Sequence, residues 1–287
     1  MKQFIISTDS TADLPKDYIQ KHNLFIHPLY YTMDDEVYGG STDLSPEEFY
    51  NRMRNGQMPT TMASNPGFIN NAFTKQIEDG FDILHISFSS ALSCSYSNAS
   101  VAAKEICDEN PDAKIVVIDS LCASMGQGLL VHYALMMKEA GKSFDEIVAW
   151  VNENRHHICH QFTVDDLFHL QRGGRVSKTA AVIGTIINVK PVLHVDNEGR
   201  LIPLSKTRGR KKALTTLVDN MATKIEGYQN DIIFISHGDC IDDAQFVADL
   251  ITERFGINNF LINFVSPTIG AHSGPGTVAL FFMGSEK

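Results

Sequence analysis

The first half of the chain alternates short apolar runs with amphipathic stretches, and this alternation limits the possible folds more than any other feature. The apolar runs predict strands at Phe4–Ser7, Leu24–Tyr31, Asp82–Phe88 and Lys114–Ile118. Amphipathic patterns predict helices near residues 15–22, 46–55, 66–79, 96–109, 124–140 and 144–155. Strands that alternate with helices in this way predict an α/β fold, with a parallel sheet covered by helices on both faces.

Capping residues mark the ends of several of these helices. Ser45 and Ser143 are each followed by Glu three residues later, so each pair can satisfy backbone N–H groups at a helix start. Gly56, Gly80 and Gly141 come directly after helical patterns, where a left-handed residue commonly ends a helix.

The second half of the chain predicts an α+β arrangement with a mixed sheet, because strands dominate there and helices are few. The boundary between the two patterns lies near residue 155, which predicts domains at 1–155 and 156–287 with a ligand between them. The predicted elements are a strand at 158–164, helices at 165–171 and 177–187, a hairpin of strands 191–195 and 201–204, a helix at 211–225, a strand at 231–236, a helix at 241–255, and strands at 260–265 and 277–283.

Charge and cysteine content narrow the classes of protein. The 287 residues carry a formal net charge of -10, which disfavours bulk attraction to nucleic acid or to an anionic membrane surface. The five cysteines have no C-x-x-C or metal-ligand spacing, which is typical of reduced cytosolic thiols. No apolar run approaches the roughly 18 residues of a membrane span, and the N-terminal run is too short for a signal peptide. We therefore expect a cytoplasmic protein without a transmembrane segment or a metal site.

Small hydroxyl-bearing residues cluster where predicted strands give way to helices. Ligands of open α/β sheets bind outside the carboxyl ends of the strands, so these clusters are candidate binding loops. Each cluster has a structural alternative, since Ser, Thr and Asp also cap helices. The segments are Asp9–Pro15, Pro59–Gly67, Ser89–Tyr96 and Ala271–Thr277, the last of them a Gly-rich loop with His272 next to Ser273.

Two basic segments complete the set of candidates. Arg172–Ser177 is a tight basic turn, and Arg208–Lys212 opens a predicted helix. Cations at a helix N-terminus oppose the helix dipole, which favours an anionic partner there, although a solvated helix face is the simpler interpretation.

Taken together, these segments resemble the DegV family. The resemblance rests on an ordered series of modest motifs that spans nearly the whole chain. In chain order they are Asp9–Pro15, Leu92-Ser93-x-Ser95-Tyr96, Asp119-Ser120 with Ser124-Met125-Gly126-x-Gly128, Leu167-x-x-Leu170-x-x-Gly173-Gly174-Arg175-Val176-Ser177, Asn188-Val189-Lys190-Pro191, Arg208-x-x-Lys211-Lys212-Ala213 and Gly274-Pro275-Gly276-Thr277.

The resemblance implies a two-domain fold that buries one long-chain fatty acid between its domains and uses no cofactor. It also implies a non-catalytic role as the acyl-binding partner of a separate ATP-dependent fatty acid kinase, which makes acyl phosphate for phospholipid synthesis. The carboxylate would be held by residues at the family's motif positions, here Thr61, Ser93, His272 and Arg208. 

Further residues enter as secondary candidates. Ser10, Thr11, Cys94, Ser95 and Ser273 lie in or beside the same loops. Cys94 stands where the family usually has Gly, and the Thr61–Asn65 segment differs from the family's Thr-Ser-Gln-Pro-Ser run. We expect Arg175 to help dock the kinase partner, and the stretches at 68–73 and 180–187 to contribute cavity walls.

Two other functions remain open at this stage. Ser93 or Ser273 with His272 would suit an acyl ester hydrolase, but the G-x-S-x-G elbow is absent from the sequence and no orienting carboxylate can be assigned. The Arg208–Lys212 cluster would suit a nucleic-acid binder, against the net negative charge. A carrier agrees with the absence of a G-x-x-x-x-G-K-[ST] phosphate loop, which places ATP binding on a partner.

Overall fold

A computed structural model describes residues 3–165, 167–177 and 188–287 of the chain. In the first half its strands are β1 (Phe4–Asp9), β2 (Phe25–His27), β3 (Tyr30–Met33), β4 (Glu36–Tyr38), β5 (Thr60–Met62), β6 (Asp82–Ser87) and β7 (Ile115–Asp119). The helices of this half are α1 (Lys16–Lys21), α2 (Pro46–Arg54), α3 (Pro66–Glu78), α4 (Ser95–Glu109), α5 (Met125–Glu139) and α6 (Phe144–Asn154).

The second half follows with further strands and helices. Its strands are β8 (Ile158–Thr163), β9 (Val189–Val195), β10 (Leu201–Arg208), β11 (Ile233–His237), β12 (Phe260–Phe264) and β13 (Val278–Met283). Its helices are α7 (Phe168–Arg172), α8 (Arg210–Ala222), α9 (Ile241–Phe255) and α10 (Pro267–Ser273). The helix predicted at 177–187 lies outside the described residues, apart from Ser177.

The first half contains the expected parallel sheet, in the strand order β2-β1-β6-β7. Alternate residues of each strand face opposite helix layers, as the two-residue period of a strand requires. Ile83 packs with α3 and α4, whereas its neighbour Leu84 packs with α5 and α6. Both faces of the sheet are therefore covered, which confirms the α/β prediction.

Capping confirms the predicted helix limits. Ser143 and Glu146 form a complete capping box at the start of α6, and the Ser45 hydroxyl accepts a hydrogen bond from the Glu48 N–H at 3.2 Å at the start of α2. Gly56, Gly80 and Gly141 follow their helices with φ of 93°, 89° and 81°.

The second half contains a six-stranded mixed sheet in the order β10-β9-β8-β13-β11-β12. Only the β11–β12 pair is parallel among the described pairings of this sheet. Helices α8 and α9 cover one face, and α5 of the first half packs against the other. Helix α5 is apolar almost all round because it lies between the two sheets. One hydrophobic core therefore runs across residue 155, and the domain boundary there stays a prediction.

A small antiparallel sheet in the order β4-β3-β5 was not expected from the sequence. The predicted strand at 24–31 is in fact two strands, β2 and β3, which belong to different sheets. The small sheet and α2 pack against the segment around Val265 and Ala271, and the Tyr50 hydroxyl donates to the Val265 carbonyl at 2.8 Å. This packing places β5 beside α10.

Candidate ligand-binding site

A cavity of about 510 Å³ lies between the parallel sheet and the mixed sheet. Its size falls within the roughly 300–1,000 Å³ range of small-molecule sites. Most of its wall is apolar and includes Leu29, Phe88, Leu92, Phe162, Val265 and Phe281. The lining therefore comes from both halves of the chain, which suits a ligand that is mainly hydrocarbon.

Thr61 and His272 meet at one end of this cavity. Thr61 lies on β5, which hydrogen-bonds to β3, and His272 lies in the last turn of α10. The Thr61 hydroxyl and His272 Nε2 are 2.7 Å apart. The sequence predicted loops at both positions. The structure corrects this, because a three-residue strand and a seven-residue helix of about two turns hold these side chains.

Ser93 lines the same cavity, immediately before α4. Its hydroxyl lies 2.9 Å from the Ser95 hydroxyl and accepts a hydrogen bond from the Ser95 N–H at 3.2 Å. The Ser95 hydroxyl in turn accepts from the Ser64 N–H at 3.3 Å, which ties the segment after β5 to the start of α4. Cys94 is the exposed N-cap residue between the two serines and also lines the cavity.

The glycine-rich turn after α7 closes around His272. A Cβ atom on Gly173 would lie 2.0 Å from His272 Nδ1, so only glycine fits beside the imidazole ring. Arg175 lines the cavity and donates to the Leu92 carbonyl from Nε at 3.2 Å and Nη2 at 2.9 Å. A third hydrogen bond runs from Arg175 to the Gly173 carbonyl. Arg175 was expected to dock a partner, and the structure places it in the cavity wall.

The imidazole at this end is neutral at physiological pH. Burial, followed by the positive charges of Arg175 and Arg172, lowers the pKa of His272 to about 4. The Arg172 guanidinium donates to the carbonyls of Pro59 and Ala271, so it is held near the site by backbone acceptors. The polar end therefore combines neutral donors with a positive electrostatic environment.

This arrangement can offer hydrogen-bond donors to an anion. If His272 Nε2 carries the imidazole proton, it donates to the Thr61 oxygen and leaves the Thr61 proton free for a ligand. Ser93 supplies a second hydroxyl. The Ser273 hydroxyl, which also lines the cavity, is buried and has no hydrogen-bond partner within the described part of the chain.

Arg208 does not belong to the cavity wall, contrary to the expectation from the sequence. It is an exposed residue at the end of β10, which is an edge strand of the mixed sheet, and it is not among the lining residues. Within the described part of the chain, the cation in the cavity wall is Arg175.

Ser10 and Thr11 also lie outside the lining. The Ser10 hydroxyl accepts a hydrogen bond from the Leu29 N–H at 3.0 Å, and the Thr11 hydroxyl donates to the Gln127 side chain at 3.0 Å. These two hydrogen bonds fix the segment after β1 to its neighbours. The hydroxyls of this loop therefore have a structural role, which was the alternative to ligand binding.

Two stretches were predicted to contribute cavity walls, and the structure tests only the first of them. Residues 68–73 form part of α3 and are not among the lining residues, and Phe73 is fully buried in the cluster on the opposite side of the parallel sheet. Residues 180–187 lie outside the described part of the chain. The hairpin residues Val195 and Leu201 do line the cavity, and the sequence analysis did not identify them, since each is an ordinary apolar strand residue.

The hydrolase alternative lacks a connected catalytic chain in this geometry. The hydrogen bond of His272 Nε2 goes to Thr61 rather than to Ser93 or Ser273. His272 Nδ1 is buried without a hydrogen-bond partner among residues 3–165, 167–177 and 188–287, so no carboxylate there orients the imidazole.

No group of three or more His, Cys, Asp or Glu side chains in the described ranges is placed to hold a metal ion. None of the described helices has the length and apolarity required to cross a membrane.

An apolar cavity between two sheets, with neutral hydrogen-bond donors in its wall, defines an α/β protein with a candidate site for an amphipathic small molecule. A family model described as "Uncharacterised protein, DegV family" matches residues 3–285. The chain belongs to the DegV family. A DegV domain-containing protein of Clostridium perfringens is 43% identical over 289 residues, covering 100% of this chain and 99% of the relative.

Solved structures of the family share this fold. A DegV family protein from Thermus thermophilus, described as fatty-acid-binding, superposes with a TM-score of 0.88 at 28% identity, covering 99% of this chain and 100% of the other. A stearic acid-binding protein from Eubacterium ventriosum superposes with a TM-score of 0.87 at 25% identity, covering 98% of each chain. A DegV family protein and a second protein of the same fold therefore bind fatty acids.

Proposed function

We propose that this chain binds one long-chain fatty acid, with the carboxylate at Thr61, Ser93 and His272 and the acyl tail in the cavity. The observation that carries the proposal is the Thr61–His272 hydrogen bond of 2.7 Å at one end of an apolar cavity of about 510 Å³. The fatty acids bound by similar structures support the class of ligand.

The donors suit a carboxylate that must remain reactive. An ionised carboxylate only accepts hydrogen bonds and offers about four lone-pair sites. The Thr61 and Ser93 hydroxyls satisfy part of this capacity without a bidentate ion pair, and the neutral His272 imidazole orients the Thr61 hydroxyl. Arg175 adds positive charge nearby while its N–H groups bind the Leu92 and Gly173 carbonyls. A carboxylate held in this way keeps an oxygen available as a nucleophile.

The acyl tail supplies most of the affinity. Burial of a methylene group contributes about 0.8 kcal/mol, so a long chain gives gross stabilisation on the order of 10 kcal/mol. The loss of translational, rotational and chain freedom on binding offsets part of this gain. Specificity for an acid over other lipids then depends on the polar end of the cavity.

We further propose that the chain presents the carboxylate to a separate ATP-dependent fatty acid kinase in the cytoplasm. One carboxylate oxygen attacks the γ-phosphorus of ATP, the bond to the ADP oxygen breaks, and acyl phosphate and ADP are formed. The missing phosphate-loop motif supports ATP binding by the partner rather than by this chain. The acyl phosphate then enters phospholipid synthesis.

Hydroxylamine trapping tests the presentation step. The oleate-loaded chain is incubated with ATP, with and without the ATP-binding subunit of a bacterial fatty acid kinase, and acyl hydroxamate is measured. We expect hydroxamate only when both proteins are present. Hydroxamate from the chain and ATP alone, or none from the complete mixture despite bound oleate, would reject the carrier role.

Arg175→Ala separates two roles for this side chain. The contacts with Leu92 predict weaker oleate binding, because the loop that carries Ser93 loses two hydrogen bonds. A role confined to partner docking predicts normal oleate binding together with loss of acyl phosphate. Equilibrium titration with oleate and the hydroxamate assay, run on the same preparation, distinguish these results.

The alternative functions have direct tests. Release of p-nitrophenol from a p-nitrophenyl acyl ester would support an esterase, and we expect no turnover. A salt-dependent electrophoretic shift of nucleic acid would support binding through Arg208–Lys212, and we expect no shift at physiological salt.

A further inference from the structure

The mixed sheet contributes one wall of the cavity, and its register gives the order of the lining residues along the strands. Thr277 lies near the polar end, because its hydroxyl donates to the Ser273 carbonyl at 3.1 Å. Thr277, Ala279 and Phe281 all line the cavity. At about 3.4 Å per strand residue, Phe281 lies about 14 Å beyond Thr277.

Two rows of side chains cross this wall at different depths. Ser236, Ala279 and Phe162 are paired across neighbouring strands and form the row nearer the polar end. The far row begins with Phe281, which pairs with His160. The β8–β9 register places His160 beside Val195, and Val195 pairs with Leu201. The nearer row includes two small side chains, whereas the far row has large ones at three of its four positions. The acyl tail therefore meets its obstruction at the far row.

The far row includes the hairpin of β9 and β10, which is fastened to the first half of the chain at its turn. The Ser89 hydroxyl donates to the Gly199 carbonyl at 2.9 Å. Gly199 has φ of 78°, and a Cβ atom there would lie 2.2 Å from Ser89 Oγ and 3.1 Å from Leu121 Cα. The turn thus fits closely between the loops that follow β6 and β7. This contact holds Leu201 in position against the cavity.

We propose that Leu201 on this docked hairpin is the end stop of the acyl channel and determines the longest fatty acid that the chain accepts. The inference rests on the proposed fatty-acid function and assigns its chain-length specificity to one side chain. Leu201 is suited to this role because it lies on the second strand of the hairpin and is only partly buried. A change in its size alters the channel end without removing a central core residue.

The test compares saturated fatty acids from myristic to arachidic acid by equilibrium titration. Leu201→Ala should shift the optimum to longer acids, with an affinity gain of about fourfold for each additional methylene buried, which corresponds to about 0.8 kcal/mol. Leu201→Phe should shift the optimum to shorter acids. Leu204→Ala is the matched control, because Leu204 lies on the same strand, is 46% exposed and does not line the cavity.

The outcomes separate this inference from the function on which it rests. Opposite shifts for the Ala and Phe variants, with the wild-type profile retained by Leu204→Ala, support the end stop. Wild-type profiles for both Leu201 variants overturn it while leaving fatty acid binding intact. Failure of the wild-type chain to bind any acid of the series would instead reject the proposed function.

Discussion

Thr61→Val removes one hydroxyl from the proposed carboxylate site with almost no change in shape. In the structure this hydroxyl lies 2.7 Å from His272 Nε2, so the substitution removes a donor to the ligand and leaves the buried imidazole nitrogen without its partner. A hydrogen bond to a charged group contributes about 1.5–3 kcal/mol. We therefore expect oleate to bind about 10- to 100-fold more weakly.

Thr60→Val is the matched control on the same strand. Thr60 points to the opposite face of β5, is exposed, and pairs with the Thr32 hydroxyl at 2.6 Å. We expect this variant to bind oleate within about twofold of wild type, since exposed substitutions away from a site usually have effects within about 0.5 kcal/mol. The assay is titration with oleate and with oleyl alcohol, which lacks the carboxylate. Equal oleate losses in the two variants, or a Thr61→Val loss as large for the alcohol as for oleate, would refute the reasoning.

Three further predictions address the support of the site and the stability of the fold. Gly173→Ala should weaken oleate binding about tenfold or more, because the new methyl group would lie 2.0 Å from His272 Nδ1; unchanged affinity in the same titration would contradict this. Burial raises the pKa of Asp13 to about 7, so the folded state keeps a proton that the unfolded state loses near pH 3.8, and stability falls as pH rises between these values. The stability of Asp13→Asn relative to wild type should therefore increase as pH rises through this range, measured by urea titrations at several pH values. A stability difference between the two proteins that does not change with pH would contradict the raised pKa of Asp13. Ser143→Ala should lower the free energy of unfolding by about 1 kcal/mol through loss of the capping box, measured at neutral pH.

Local sequence signals predicted most of the helices and the central strands. Capping at Ser143 and the glycines after three helices encode helix ends within a few residues, so no distant contact is needed to place them. The strand–helix alternation of the first half likewise predicts a parallel sheet, because crossover connections need helices. These parts of the fold depend on interactions between residues that are close in the sequence.

The elements that the sequence did not reveal depend on distant contacts. Strand β5 has three residues and becomes a strand only by pairing with β3. Helix α10 has seven residues, which is too short to be stable alone, and it is held by packing against α2 and the small sheet. Both elements carry proposed carboxylate donors, so their local conformation was the least predictable part of the site.

The residues that line the cavity could also not be identified from the sequence. Its lining residues extend from Leu29 to Phe281 along the chain, and each apolar member is indistinguishable from ordinary core by its pattern. Arg175 and Arg208 illustrate the same limit. Both lie in basic motifs, and only the three-dimensional arrangement shows that Arg175 lines the cavity while Arg208 faces solvent.

The most direct test of the central claim is native mass spectrometry of the purified chain, followed by denaturation and identification of any released lipid. We expect one adduct per chain that is released as a free fatty acid, or one molecule of oleate taken up when the chain is first delipidated. A mass equal to that of the bare chain, unchanged after addition of oleate or palmitate, would contradict the proposed function.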